Sequence, residues 1–243
     1  MTTVPRWLRR AMTGRRWPSL ERQLTSLRDL AALQTAMSWK KNPLLDDPRL
    51  HEYHYPEDAN QRRLRDGEVI AVACAATNAD GTHLLEIGTS LGQTTALMAR
   101  NAPASLVHTI NIPPEEIAAG GRLTTYAPTR EEIGADYRAA GLQNIRQIFA
   151  NTATWKPDIA RIDLAFIDGC HDRAFVINDT LKVLSRCTSG SILLWHDFNP
   201  NLTYRFPWIA EVVGAIDELY QDRVLTSPIF HVQDSWIGVY RVP

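Results

Sequence analysis

The chain is poor in cysteine. Cys74, Cys170 and Cys187 are the only three in 243 residues, too few and of the wrong parity for a disulfide framework, which points to a reducing, cytoplasmic compartment. No uninterrupted apolar run comes near the ~20 residues of a membrane-spanning helix, so no membrane span is expected. There is no charge excess of either sign: 26 basic residues face 27 acidic ones, for a net charge of −1. A chain so balanced has no general attraction to phosphate backbones, and no nucleic-acid partner is expected. Internal repeats and low-complexity tracts are also missing, and 44% hydrophobic against 22% charged residues excludes disorder as the main state.

The length suits one large domain with an extension. The first 20 residues hold Arg6, Arg9, Arg10, Arg15 and Arg16 with Trp7 and Trp17, and no acid precedes Glu21. This composition reads as a solvated basic arm, with an organellar transit peptide as the alternative. From Leu20 the apolar residues Leu24, Leu27, Leu30, Leu33 and Met37 recur at three- and four-residue steps, which predicts one amphipathic helix packing on the main domain or on a second subunit of a homodimer. Pro43, Pro48 and Pro56 then deny a long helix, so a connector is expected there, carrying His51, Tyr53, His54 and Tyr55. The boundary is placed between an extension, residues 1–60, and a domain, residues 61–243.

Beyond it, short strands and helices alternate. Strands are expected at His83–Ile87, Leu106–Ile110, Ile145–Phe149, Ile162–Ile167 and Ile192–Trp195, with helices near Arg65–Thr77, Thr94–Arg100, Arg130–Ala140 and Ala174–Ser185. Strand then helix, repeated, means an α/β fold with a parallel sheet covered on both faces. A helix from Pro207 to about Tyr220 and two last strands, Val224–Phe230 and Trp236–Val242, close the chain in a hairpin. The long link 112–128, with Pro113, Pro114, Gly120, Gly121 and Tyr126, is read as either a lid or plain surface disorder.

The sharpest motif is Leu84-Leu85-Glu86-Ile87-Gly88-Thr89-Ser90-Leu91-Gly92-Gln93-Thr94-Thr95, an apolar strand that breaks into small residues and enters a helix. Glycine serves where a side chain would collide with a neighbour or φ must be positive, and a helix N-terminus offers N–H groups to an anion. Glu86 within an apolar strand needs a partner. The turn lacks the third glycine of a dinucleotide fingerprint and the lysine of a P-loop, which argues against a dehydrogenase or an NTPase.

The pattern E-x-G-T-S-x-G instead resembles the first motif of class I S-adenosylmethionine-dependent methyltransferases, in particular their small-molecule O-methyltransferase branch, over roughly residues 65–243. The resemblance implies a doubly wound, mostly parallel, seven-stranded Rossmann-like sheet ending in the antiparallel hairpin, with the N-terminal helical extension outside it. It also implies that Glu86, Gly88, Thr89, Ser90, Gly92 and Thr94 hold the amino-acid end of the cofactor. Two positions depart from the family. Asn111 stands where an acid usually meets the ribose, and Asn151-Thr152 replaces an Asp-Ser pair beside the adenine.

A second constellation lies further on. Asp168 ends the strand Ile162–Ile167, and His196-Asp197 follows the next strand, so the three side chains can converge at the carboxyl edge of the sheet. Their 28-residue spacing resembles the divalent-metal site of catechol-type and macrolide-sugar O-methyltransferases and of the related cephalosporin-hydroxylase group. On that resemblance Asp168, His196 and Asp197 are metal ligands for Mg2+ or Mn2+, with zinc or an empty site still open because His196 stands where relatives place an acid. Asp168 and His171 are the catalytic pair, His171 standing where relatives place a proton acceptor. Asp168 also adjoins the cofactor. The expected activity is methyl transfer to a hydroxyl of a small molecule, a sugar or natural product. A metal-dependent hydroxylase and a non-catalytic cofactor-binding scaffold are the alternatives.

Overall fold

A computed structural model describes residues 17–44, 72, 74–119, 127–233 and 235–243. The basic arm before Trp17, the histidines and tyrosines of the connector, and Gly120, Gly121 and Tyr126 of the long link lie outside the described residues.

Among the described residues eight strands form one sheet. In chain order they are β1 (Leu24–Leu27), β2 (His83–Ile87), β3 (Leu106–Asn111), β4 (Ile145–Phe149), β5 (Ile162–Ile167), β6 (Cys187–Trp195), β7 (Ile229–Val232) and β8 (Gly238–Arg241). Their spatial order is β1-β7-β8-β6-β5-β2-β3-β4, with only β8 antiparallel to its neighbours. The helices are α1 (Pro18–Glu21), α2 (Leu30–Met37), α3 (Gln93–Asn101), α4 (Ala135–Ala139), α5 (Arg173–Leu184) and α6 (Pro207–Gln221). Among the described residues no helix is long and apolar enough to cross a membrane.

The two-residue period of the strands divides the core. Leu85, Ile87, Ala165, Ile167, Leu193 and Trp195 pack against Val176 and Val183 of α5 and Val212 and Ile216 of α6. Their neighbours Leu84, Leu164, Phe166, Ile192 and Leu194 face the other way, onto Leu33, Met37, Leu97 and Met98 of α2 and α3. Burial on both faces is why β5 reads as an almost continuous apolar run.

The leucine ladder from Leu20 does not form a single helix. Leu24–Leu27 is a strand paired in parallel with β7, and the helix begins only at Leu30, where the Asp29 carboxylate accepts from Ala32 N at 2.9 Å. A three-residue step also suits a strand that must serve two cores, since it puts the two ends on opposite faces: Leu24 packs on one cluster and Leu27 on the other. This edge strand makes the sheet eight-stranded instead of seven. The segment is fastened by Asp217 of α6, whose Oδ1 accepts from Ser19 N and Leu20 N at 2.8 and 2.7 Å.

Three further elements are shorter than expected, the last strand spanning only Gly238–Arg241. Gly134, at φ +74, delays α4 to Ala135, and β7 starts at Ile229, after Pro228. β6 begins at Cys187, well before the expected Ile192, and the other central strands fall within a residue of their predicted ends. From β2 the chain moves out to β3 and β4, then returns to β5 on the other side. That reversal opens a crevice beyond the carboxyl ends of β2 and β5, where ligands of open α/β sheets bind.

Candidate active site

A cleft of about 400 Å³ occupies that crevice. Gly88, Ser90, Asn111, Asn151, Thr152, Asp168, His171, His196 and Asp197 line it. A smaller recess of about 150 Å³ adjoins it across Gly88, Ser90, Asp168 and His196, and adds Thr89, Gly92 and Thr94. Every residue expected to meet a cofactor or metal is therefore gathered here except Glu86.

Glu86 lies on the α3 face of β2 and is 1% exposed. Its Oε2 accepts from Thr109 Oγ1 at 2.6 Å and from Thr95 Oγ1, while Oε1 is buried without a hydrogen bond. Burial raises this carboxyl to about 8, with hydrogen bonds from Thr109 and Thr95 pulling the other way. It lines neither cavity and acts as a strut beneath the turn, tying β2 to β3 and α3. The buried network continues from Thr109 Oγ1 to Thr89 Oγ1 at 2.7 Å, from Thr89 to Gln147 Nε2 at 3.0 Å, and from Gln147 Oε1 to the Tyr137 hydroxyl at 3.0 Å.

The turn itself is tightly held. Gly88 sits at φ +106, and a Cβ there would come within 2.0 Å of the Asp168 carbonyl oxygen, so only glycine lets β2 and β5 meet at this height. The amides of Gly88 and Thr89 donate to Ile110 O at 2.8 and 3.2 Å, and that of Ser90 donates to Asn111 Oδ1 at 3.0 Å. Asn111 Nδ2 donates in turn to Ile112 O at 2.9 Å. Asn111 thus tethers the turn to the end of β3, a job an acid could not complete, because it has no N–H for the Ile112 carbonyl. The amides of Gly88, Thr89, Ser90 and Gly92 are consequently engaged within the protein, while the first turn of α3 offers N–H donors to a ligand.

Asn151 and Thr152 stand at the far side of the cleft. Asn151 Oδ1 accepts from Ala153 N at 3.0 Å, closing its own turn. The Thr152 carbonyl accepts from Asn178 Nδ2 at 3.0 Å and from Lys182 Nζ of α5. Asp179, 1% exposed beside Asn178, completes this support, and burial pushes its carboxyl up to about 6. The sequence reading missed these α5 residues, since on a helix they look like ordinary surface polarity. It also missed Phe175, Trp208 and Trp236, which give the cleft an aromatic wall.

At the opposite end four ionisable side chains crowd together. His171 Nε2 lies 2.8 Å from Asp197 Oδ2 and 3.6 Å from Asp168 Oδ1; His196 Nδ1 lies 3.1 Å from Asp168 Oδ1 and 3.5 Å from Asp197 Oδ2. One ligand-capable atom from each of the four falls within 4.8 Å of all the others. Backbone pairing sets this up: Asp168 N donates to Ile87 O at 2.8 Å and His196 N to Ile167 O at 3.1 Å, aligning the ends of β2, β5 and β6. Asp197 then turns inward at φ +53, a left-handed conformation that Asp tolerates better than most residues. Burial disfavours the charged carboxylates, but His196 and His171 outweigh it and hold Asp168 and Asp197 below their ordinary values. Burial likewise opposes a charge on His171, yet hydrogen bonds to Asp168 and Asp197 prevail and raise it to about 10. His171 is thus clasped between the two carboxylates.

Fold and site together define an open α/β protein with a cleft at its switch point and a charged cluster at one end of that cleft. Residues 85–198, which run from the glycine turn through Asp197, match the model of a methyltransferase-domain family. No curated protein matches the sequence. Among solved structures the chain is similar to the SAH-bound Podospora anserina methyltransferase PaMTH1, at 14% identity over 87% of this chain and 94% of that one, with a TM-score of 0.55. It is similar to a putative O-methyltransferase from Klebsiella pneumoniae at 18% identity over 86% and 94%, TM-score 0.52, and to the O-methyltransferase NovP at 14% over 66% and 71%, TM-score 0.51. Residues 85–198 are thus similar to a methyltransferase domain, and the architecture is the Rossmann-like α/β fold seen in these methyltransferase structures.

Proposed function

We propose that this protein transfers the methyl group of S-adenosylmethionine to a hydroxyl of a small molecule, with a divalent metal at the acceptor end. The observation that carries the reading is the single cleft joining the glycine turn to the Asp168, His171, His196 and Asp197 cluster, with Asp168 lining both of its compartments. The recess beside Ser90, Gly92 and Thr94 suits the amino-acid end of the cofactor, because the first amides of α3 open there. Asn151 and Thr152 flank the space for its adenosine end.

In the reaction the acceptor oxygen attacks the sulfonium methyl carbon, an O–C bond forms, and the C–S bond breaks with its electron pair going to sulfur. The products are the methylated acceptor, S-adenosylhomocysteine and the hydroxyl proton. The donor set of two carboxylates and two imidazoles fits a dication, which when bound would lower the affinity of the acceptor hydroxyl for its proton. Asp168, His196 and Asp197 would hold it, and the aromatic wall of Phe175, Trp208 and Trp236 would exclude water and orient the acceptor. Glu86 supports the turn from below without touching the cofactor.

The test is transfer of a labelled methyl group to a panel of hydroxylated acceptors, before and after chelation. The reading expects transfer that chelation abolishes and added metal restores. Oxygen consumption without methyl transfer would favour the hydroxylase, and failure to bind cofactor would leave a scaffold.

A further inference from the structure

We propose that His171 is a fourth side-chain ligand of the metal, and that the site selects a transition-metal dication such as Zn2+, Mn2+ or Fe2+ over Mg2+. The inference deepens the reading of this cluster as the metal-bearing end and changes the work assigned to His171 from proton acceptor to ligand.

Geometry carries it. Donors bound to one ion through bonds of roughly 2.0–2.2 Å lie about 3.4 Å apart in a tetrahedron and about 3.0 Å apart at adjacent octahedral positions. The measured separations from the two imidazole nitrogens to the two carboxylate oxygens are 2.8, 3.1, 3.5 and 3.6 Å, already bracketing those values. His171 belongs to the group: its Nε2 makes both the shortest and the longest of the four contacts, 2.8 and 3.6 Å, and the residue is 7% exposed. An ion reached by Asp168, His196 and Asp197 would therefore lie within bonding reach of His171 as well.

Charge and donor chemistry agree. One dication with two neutral imidazoles balances two carboxylates, so an ion can replace imidazole protons without leaving net charge in a buried site. Magnesium prefers six oxygen donors and keeps much of its water, whereas imidazole nitrogen suits the later first-row metals. Two nitrogens among four protein donors give this chain a mixed set poorly matched to Mg2+.

The experiment titrates the chelator-stripped protein with Co2+, whose visible absorption reports coordination number and nitrogen ligation without any catalytic turnover. One Co2+ per chain is expected, with the strong absorption of a low-coordinate N/O site, displaced by stoichiometric Zn2+ and untouched by a hundredfold excess of Mg2+. His171→Ala and His171→Gln, each checked for native circular dichroism, should weaken Co2+ by about tenfold or more and change the band. Displacement by Mg2+, a featureless octahedral spectrum, or His171 variants with unaltered affinity and spectrum would overturn the proposal. If neither variant folds, the Mg2+ competition and the band shape of the unmodified protein decide it. Co2+ ligated by His171 in a protein that transfers no methyl group would leave this inference standing and remove the proposed activity. Methyl transfer supported by Mg2+ alone would do the reverse.

Discussion

The two ends of the cleft both set carboxyl groups at or near the tips of parallel strands, yet they use them in opposite ways. At the glycine turn, Glu86 has only hydroxyl partners and no cation beside it, so burial keeps its proton on and it serves as a neutral brace. At the other end, Asp197 is also buried and Asp168 is half-buried, but two imidazoles sit within 3.6 Å and favour the charged form of both carboxylates. Neighbouring charge, more than depth, decides whether a buried acid is a strut or a ligand.

Breaking the contact between the two ends should have the largest effect. Gly88→Ala drives a Cβ into the Asp168 backbone, and the glycine's positive φ leaves it no easy escape. We expect a loss of about 3 kcal/mol or more in urea unfolding, together with loss of cofactor binding. Next comes the charged end alone. Asp197→Asn removes the 2.8 Å partner of His171 and one proposed metal ligand, and should lower methyl transfer by about 10- to 100-fold while the protein stays folded by circular dichroism.

Glu86 sharpens the contrast through pH. Its carboxyl is raised from 4.5 to about 8 in the fold, so its neutral form is favoured there while the unfolded chain ionises from about pH 4.5 upward. Its contribution to stability is full below that point and is lost as pH rises through 8, by up to ~1.4 kcal/mol per pH unit while one proton is exchanged. Glu86→Gln lacks this loss, so thermal unfolding of the variant should gain on the unmodified protein between pH 5 and pH 8. A constant difference across that range would show that Glu86 is ionised in the fold. The smallest effect is expected at Asn111→Ala, which frees Ser90 N and the Ile112 carbonyl near the surface of the cleft. About 1 kcal/mol, a several-fold weaker cofactor dissociation constant by calorimetry, is the expected cost.

Much of this was readable in the chain. The central strands and the helices Gln93–Asn101, Arg173–Leu184 and Pro207–Gln221 announce themselves because parallel strands buried on both faces must be apolar and their covering helices amphipathic. The convergence of Asp168, His196 and Asp197 is legible in strand-end spacing, whereas His171 is reached only through the family resemblance. What escaped depends on tertiary context. Leu24 and Leu27 carry a helical step but serve as a strand because two cores, one on each face, need covering. Glu86 bears the motif's position but lines neither cavity, since whether a side chain faces the cleft or the helix layer below it depends on strand register. The Asp179 and Lys182 support for Thr152 joins residues distant in sequence through hydrogen bonds that no local pattern encodes.

The central claim is that one cleft receives S-adenosylmethionine between the glycine turn and the charged cluster. Isothermal titration of the protein with S-adenosylmethionine tests it most directly. Saturable binding of one cofactor per chain, abolished in Gly88→Ala and preserved in Asp197→Asn, is the predicted result. Absence of heat at millimolar cofactor in a folded, metal-loaded protein would contradict it.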